Sequence, residues 1–155
     1  MPTLILTLLR YVCFIFTLLF SIVTTAETTS GNKLSCKAKH LDTNKPVEVN
    51  IVSGYVGFQV ATAVWPLGYP TIIIDDSEYL RLPERARQFI YYHECAHLKL
   101  KTEDEHEADC SSIKMLRNKH NYKDTDIRKL IETLVKKFGM STRWSKLLSC
   151  AGLAS

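Results

Sequence analysis

Residues 82–100 of the chain read LPERARQFIYYHECAHLKL, and this stretch is the best guide to the fold. Pro83 suits the first position of a helix, where its missing N–H is no loss, and acidic Glu84 suits the first turn. Further along, apolar or imidazole side chains recur every three or four residues, the spacing of one helical face. They are Ala86, Phe89, Ile90, His93, His97 and Leu100. The stretch therefore predicts a helix that directs two histidines toward the protein interior.

Positions 93–97 of this helix read His-Glu-Cys-Ala-His, the HExxH pattern. Two histidines four residues apart leave the same helical face and can hold one metal ion. Neutral imidazole is a good zinc ligand, and burying two such side chains without a partner is costly. Glu94 would lie beside the open position of the ion, where a carboxylate can take a proton from water. We therefore expect one Zn²⁺ per chain, with His93 and His97 as ligands and Glu94 as the general base.

A zinc site of this kind needs a third protein ligand, and the acidic stretch after the motif offers several candidates. In the metzincin pattern HExxHxxGxxH/D the third ligand would be Glu103, but Leu100 stands where that pattern needs glycine for a sharp turn. The run Glu105-His-Glu-Ala-Asp109 instead matches ExxAD, and its first and last residues share a helical face. Glu107 lies about 200° round the helix from the first of them and is expected to face solvent.

Together, HExxH and ExxAD resemble the motifs of the gluzincin metallopeptidases, over residues 71–116. The resemblance implies a strand and an HExxH helix followed by an ExxAD helix. It also implies Glu105 as the third zinc ligand, with Asp109 accepting the outer N–H of a ligating histidine. Thr102-x-x-Glu105 fits a capping box as well, so capping of the second helix is the alternative use of Glu105.

The N-terminal segment predicts export. Residues 1–26 contain no acidic residue and one basic residue, Arg10, and an apolar run spans residues 11–23. Thr24-Thr25-Ala26 then offers the small residues that a signal peptidase reads. Residues 1–26 are interpreted as a secretory signal peptide, with an uncleaved membrane anchor as the alternative. Either way, residues 27–155 would lie outside the cytoplasm, in the periplasm or as a secreted protein.

Cysteine usage agrees with export. One cysteine lies in the leader, and residues 27–155 contain an even set, which predicts two disulfides in an oxidising compartment. Cys95 lies within HExxH and Cys110 directly follows ExxAD, on helices that must approach each other to share a metal. This favours Cys95–Cys110 with Cys36–Cys150, and the alternative set joins Cys110 to Cys150. None of the four has the CxxC spacing of a structural zinc site.

Length and charge limit the architecture and the partners. Residues 27–155 are enough for one hydrophobic core and form a single predicted domain. Their 19 basic and 16 acidic residues give a net charge of +3, which is too mild to indicate nucleic-acid binding. Association with a membrane is expected only if the N-terminal segment is retained as an anchor.

The rest of the chain supplies about three strands and a C-terminal helix. Residues 46–52 alternate apolar and polar side chains, residues 55–64 predict a second strand, and residues 71–75 predict a third after a loop. Residues 124–138 carry an apolar stripe at helical spacing that ends at Gly139. The expected fold is α+β and zincin-like, with the strands packed against the HExxH, ExxAD and C-terminal helices. By resemblance to zincins, one strand would bind an extended peptide; alternatively the strands only build the sheet.

The sequence thus predicts hydrolysis of a peptide bond in a peptide or protein substrate by metal-activated water. Glu94 would take a proton from the water and return it to the departing amine. A donor for the oxyanion is also needed, and the sequence leaves five candidates open: His106, His120, Tyr69, Tyr91 and Tyr122. The alternative function is a zinc-stabilised exported binding protein that does not cleave its partner.

Overall fold

Five short strands precede five α-helices in the computed structural model, which describes residues 34–139 and 141–153. The composition is α+β, as the sequence predicts. The strands are β1 Lys37–Lys39, β2 Pro46–Glu48, β3 Asn50–Ser53, β4 Ala61–Val64 and β5 Thr71–Ile74. The helices are α1 Asp76–Tyr79, α2 Glu84–Leu100, α3 Glu105–His120, α4 Asp124–Phe138 and α5 Ser141–Cys150. The predicted leader, residues 1–26, lies outside the described residues.

The strands form two small sheets. β1 pairs antiparallel with β2, with Ala38 opposite Val47. The second sheet has the order β3-β5-β4, in which β5 runs parallel to β3 and antiparallel to β4. Ile72 at the centre of β5 is fully buried between Ile51 on one side and Ala63 on the other. β4 is therefore an edge strand, and this strand packs against α2.

Two of the predicted strands differ from the observed ones. The run 46–52 divides at Val49, whose N–H donates to the carbonyl of Cys36, whereas the N–H of Asn50 donates to the carbonyl of Pro70. One apolar stretch therefore serves both sheets, first beside β1 and then beside β5. The predicted strand 55–64 is regular only over Ala61–Val64, and Gly57 takes a left-handed φ of 71° in the irregular part. β1 is a strand that the sequence analysis did not predict.

α2 is the central helix and packs against α3, α4, β1, β4 and β5. Pro83, predicted at the first helical position, is instead the N-cap residue, so the helix begins one residue later at Glu84. Partners on several sides bury more than the predicted face: Leu98 is fully buried, whereas Leu100, expected on that face, is 46 % exposed. Because most of the surface of α2 is buried, a polar side chain on it is costly unless it has a hydrogen-bonding, ionic or metal partner.

The connection between α2 and α3 is short and well defined. α2 ends at Leu100, and its C-cap residue, Lys101, has a left-handed φ of 54°. The side chain of Asp104 then accepts hydrogen bonds from the N–H groups of His106 and Glu107 at 2.8 and 3.1 Å, the pattern of an N-cap. The hydroxyl of Thr102, expected as the cap, instead accepts the N–H of Asp104 at 3.1 Å. The capping interpretation of Glu105 is therefore wrong, because the preceding residue caps the helix.

Two disulfides join the four cysteines as Cys36–Cys95 and Cys110–Cys150. The favoured set, Cys95–Cys110 with Cys36–Cys150, is wrong, and the alternative set is present. The reason is the direction of each side chain. Cys95 lies on the side of α2 that packs against β1, whereas Cys110 lies on the side of α3 that packs against α5. α2 and α3 pack against each other through other faces, which do not carry these two cysteines.

None of the helices within residues 34–139 and 141–153 is long and apolar enough to cross a membrane.

Candidate metal centre

His93 and His97 lie on one face of α2, near its C-terminal end. Their Nε2 atoms are 3.0 Å apart, and both residues are largely withdrawn from solvent. The helical spacing of four residues produces this proximity, because such side chains stand one turn apart on the same face. The two ring nitrogens therefore point to a common position.

The outer nitrogen of each ring faces an oxygen. Nδ1 of His97 lies 2.7 Å from the carbonyl of Thr102, which can only accept a hydrogen bond, so this nitrogen carries the proton. Nδ1 of His93 lies 2.8 Å from Oδ1 of Asp109. The Thr102 carbonyl thus fixes the tautomer of His97 and leaves its Nε2 with a lone pair, and the Asp109 carboxylate lies close enough to pair with the imidazole of His93. The two Nε2 atoms face each other over 3.0 Å, a separation that favours a proton or a cation between them.

Glu105, the first residue of α3, completes a triangle of candidate ligand atoms. Its Oε2 lies 3.3 Å from Nε2 of His93, and its Oε1 lies 3.6 Å from Nε2 of His97. Zinc binds nitrogen and oxygen at about 2.0–2.2 Å in a tetrahedron, which sets its ligand atoms about 3.4 Å apart. The observed separations bracket that value. The donor set and its spacing thus fit a tetrahedral ion with three protein ligands and one open position.

The competing acidic residues lie elsewhere. Glu103 and Glu107 are both exposed, and neither belongs to the cluster around the two histidines. Another close group among the described residues joins His106 to Cys110 and Cys150. These two cysteines are bonded to each other, and a disulfide offers no thiolate to a metal.

Arg143 is the residue of this site that the sequence analysis missed. Its Nε and Nη2 atoms each lie 2.8 Å from one oxygen of Asp109, and Nη2 also lies 2.7 Å from Oε2 of Glu105. Asp109 is only 1 % exposed, and its carboxylate has two charged or polar partners, the imidazole of His93 and this guanidinium. Arg143 stands 34 residues from Asp109 in no recognisable motif, so no local signal identifies it.

The carboxylates around His93 shift its titration. Burial alone would lower the pKa of His93, but the hydrogen bonds to Asp109 and Glu105 outweigh it and raise the pKa to about 9. The pKa of Asp109 is lowered: burial opposes this, and the hydrogen bonds from Arg143 and His93 overcome it. The hydrogen bond with His93 is the main cause of the lowered pKa of Glu105. Without a metal, a positive charge on His93 is therefore favoured.

Glu94 is buried beside the histidines at 8 % exposure. Burial raises the pKa of its carboxyl, and the nearby histidines only partly oppose the shift. The backbone N–H of Ala63 in β4 hydrogen-bonds to the carboxylate. Glu94 is thus held between α2 and the edge strand.

A cavity of about 300 Å³ opens next to His93 and Glu94. Apolar side chains from α2, α4, β4 and the segment before β4 form most of its wall, and Glu105 and Arg143 form a polar end. The apolar residues are Phe58, Val60, Ala61, Phe89, Ile90, Leu134 and Phe138. The cavity can therefore accept an apolar group beside the candidate metal position.

None of the five candidate oxyanion donors lines this cavity. Each has another environment. The ring of Tyr69 contacts His40, and Tyr91 is buried. His120 lies 2.8 Å from the hydroxyl of Tyr92, and the hydroxyl of Tyr122 donates to Gln88 at 2.7 Å. His106 lies beside the Cys110–Cys150 disulfide. The polar side chains that do line the cavity are Gln59, His93, Glu94, Glu105 and Arg143.

Comparisons of the chain with protein-family models, curated proteins and solved structures found no match.

Proposed function

We propose that the protein is an exported zinc metallopeptidase of the gluzincin type, with a zincin-like arrangement of helices and strands. One observation carries the proposal: Nε2 of His93 and Nε2 of His97 lie 3.0 Å apart, with the Glu105 carboxylate 3.3 and 3.6 Å from them. Glu94, a buried carboxylate that a purely structural metal site does not need, adjoins this triangle.

Zn²⁺ held by these three side chains would supply a Lewis acid and lower the pKa of a bound water to near 7. The chain's own residues do the rest. Thr102 and Asp109 hold the two imidazoles in the orientation that presents Nε2. Glu94 takes the proton of the attacking water and returns it to the departing amine, and the raised pKa of its carboxyl favours holding the proton between these two steps.

The surroundings support a peptide as substrate. β4 is an edge strand next to Glu94, so an extended peptide lying along it would bring a backbone carbonyl near the candidate metal position. The adjoining cavity would then receive one apolar side chain of that peptide. Two disulfides support an oxidising compartment and hence export.

Replacing Glu94 by Gln tests the proposal, because the amide keeps the size of the side chain and cannot take a proton. We expect the variant to bind zinc like the wild type and to hydrolyse a peptide library about 10²- to 10⁴-fold more slowly. Glu132→Gln, an exposed change of the same kind on α4, serves as the matched control and should leave the rate unchanged. The alternative, a non-catalytic binding protein, predicts no chelator-sensitive cleavage by the zinc-loaded wild type.

A further inference from the structure

Arg143 connects the third candidate ligand to the partner of the first histidine. Its Nη2 atom lies 2.7 Å from Glu105 and 2.8 Å from Asp109, and its Nε atom lies 2.8 Å from the other oxygen of Asp109. We propose that Arg143 is a positioning residue of the metal centre, which holds the carboxylates of Glu105 and Asp109 in the orientation that metal binding requires. This inference rests on the proposed function only in assuming that the site binds a metal.

Glu105 needs such a partner. Its side chain is 57 % exposed and stands at the first position of α3, where no neighbouring turn precedes it. A glutamate in such a position loses considerable rotamer freedom when it is fixed to one geometry. The contact with Arg143 at 2.7 Å restricts the carboxylate to the side of the helix that faces the histidines. Part of the ordering cost is then met before a metal binds.

The chemistry of the guanidinium suits this double contact. Its planar group presents several N–H donors in a fixed fork, so one side chain can bind a carboxylate through two parallel bonds and a second carboxylate through the remaining N–H of Nη2. Asp109 accepts both bonds of that fork while its Oδ1 also lies 2.8 Å from His93. A lysine carries the same charge at a single point, and it cannot hold both carboxylates in this geometry.

The helix that carries Arg143 is anchored to α3 at its other end. Arg143 and Cys150 are seven residues apart, two turns of α5, and therefore share a face. Cys150 is bonded to Cys110, the residue after Asp109, and fully buried Leu147 lies between the two contacts. The disulfide and the guanidinium thus join the same two helices about 10 Å apart along α5. The disulfide limits how far Arg143 can move from the carboxylates.

Metal binding by the full chain in its disulfide-bonded form tests the role of Arg143. We compare Arg143→Lys and Arg143→Met with Lys146→Met, which removes an exposed charge from the same helix. Zinc affinity is measured by chelator competition, and the visible spectrum of bound Co²⁺ reports the ligand geometry. We expect both Arg143 variants to bind zinc about 10- to 100-fold more weakly, with an altered cobalt spectrum, and Lys146→Met to match the wild type.

A double-mutant comparison separates positioning from general stability. If Arg143 acts through the carboxylates, Arg143→Lys should weaken zinc binding much less in a Glu105→Ala, Asp109→Asn background than in the wild type. Wild-type zinc affinity and cobalt spectrum in Arg143→Lys would overturn the inference, as would an equal loss in both backgrounds. Neither readout requires hydrolysis, so a protein that binds metal without cleaving peptides contradicts the proposed function alone. A wild type that binds neither ion overturns both.

Discussion

Nδ1 of His93 lies 2.8 Å from Oδ1 of Asp109, a carboxylate that is only 1 % exposed. This close ion-pair contact lies on the outer side of the imidazole, whereas its Nε2 faces His97 and Glu105. An acceptor of this kind fixes the ring and raises the basicity of the ligating nitrogen. The last residue of ExxAD therefore lies against a histidine of the other motif.

Replacement of Asp109 by Asn should weaken zinc binding by about 10- to 100-fold. The amide retains the shape of the side chain, but it loses the charge that holds both the imidazole and Arg143. Competition with a chelator of known affinity measures the loss. Glu107→Gln, an exposed change on the same helix, should have no such effect. Equal affinities for the two variants would contradict the role given to Asp109.

Glu105→Ala should weaken zinc binding far more than Glu103→Ala. Only the first of these carboxylates lies within 3.6 Å of the histidine nitrogens, whereas the second is exposed. Isothermal titration of both variants with zinc gives the ranking. A larger loss for Glu103→Ala would favour the metzincin geometry for the third ligand.

Zinc binding should release protons, and the affinity should rise with pH up to about 9. The metal-free protein holds His93 with a pKa of about 9, so this residue is charged at neutral pH and must lose a proton to become a ligand. Calorimetry in buffers of different ionisation enthalpy counts the protons released. Zinc affinity that stays constant between pH 6 and pH 9 would contradict the prediction.

The same titration lowers the stability of the metal-free protein as the pH rises, whereas it increases the affinity for zinc. Because folding raises the pKa of His93 above the ordinary value of 6.5, its contribution to stability is fully present below that value. The contribution is lost as the pH rises through about 9. Thermal unfolding of the metal-free protein across this range should show a fall in stability that Asp109→Asn reduces.

The helices were predictable from sequence because their signals are local. HExxH and its flanking apolar residues specify Glu84–Leu100, and Gly139 ends α4 with a left-handed φ of 72°. The strands were less predictable, since the run 46–52 pairs first with β1 and then with β5. Which partner each half takes depends on the tertiary arrangement and not on the alternation of side chains.

The candidate site shows the same division. Spacing alone brings His93, Glu94 and His97 together, and ExxAD indicates Glu105 and Asp109. Arg143 escaped prediction because it meets these residues only after α5 packs on α3. The disulfide pairing failed for a related reason: the helices that share the candidate metal turn their cysteines to other neighbours.

Removal of the Cys36–Cys95 disulfide should destabilise the protein. A Cys36→Ala, Cys95→Ala variant is expected to lose about 2–5 kcal/mol in the free energy of unfolding, because the bridge restricts the unfolded chain. Denaturant unfolding of the variant and the wild type measures the difference. Peptide mapping without reduction should recover Cys36 linked to Cys95, and a Cys95–Cys110 peptide would contradict the structure.

The cavity predicts a preference for bulky apolar residues next to the cleaved bond. Leu134 and Phe138 form part of its wall beside His93 and Glu94. Phe138→Ala should enlarge the cavity and shift the preference toward larger side chains, with changes of about 10-fold or more in kcat/KM between substrates that differ in size. A peptide library with one varied position measures both effects. Equal cleavage of acidic and apolar peptides by the wild type would exclude this subsite.

The left-handed residue Lys101 allows α2 to turn into α3 within four residues, so all three candidate ligands belong to the segment 93–105. Closing a flexible loop costs entropy that grows with its length, by about 0.6 kcal/mol for each doubling. A short connection keeps that cost low each time the ligands assemble. In this chain the candidate ligands lie on two helices that the core already holds in place, so little entropy is lost when they assemble. A long insert between the two motifs would increase that loss.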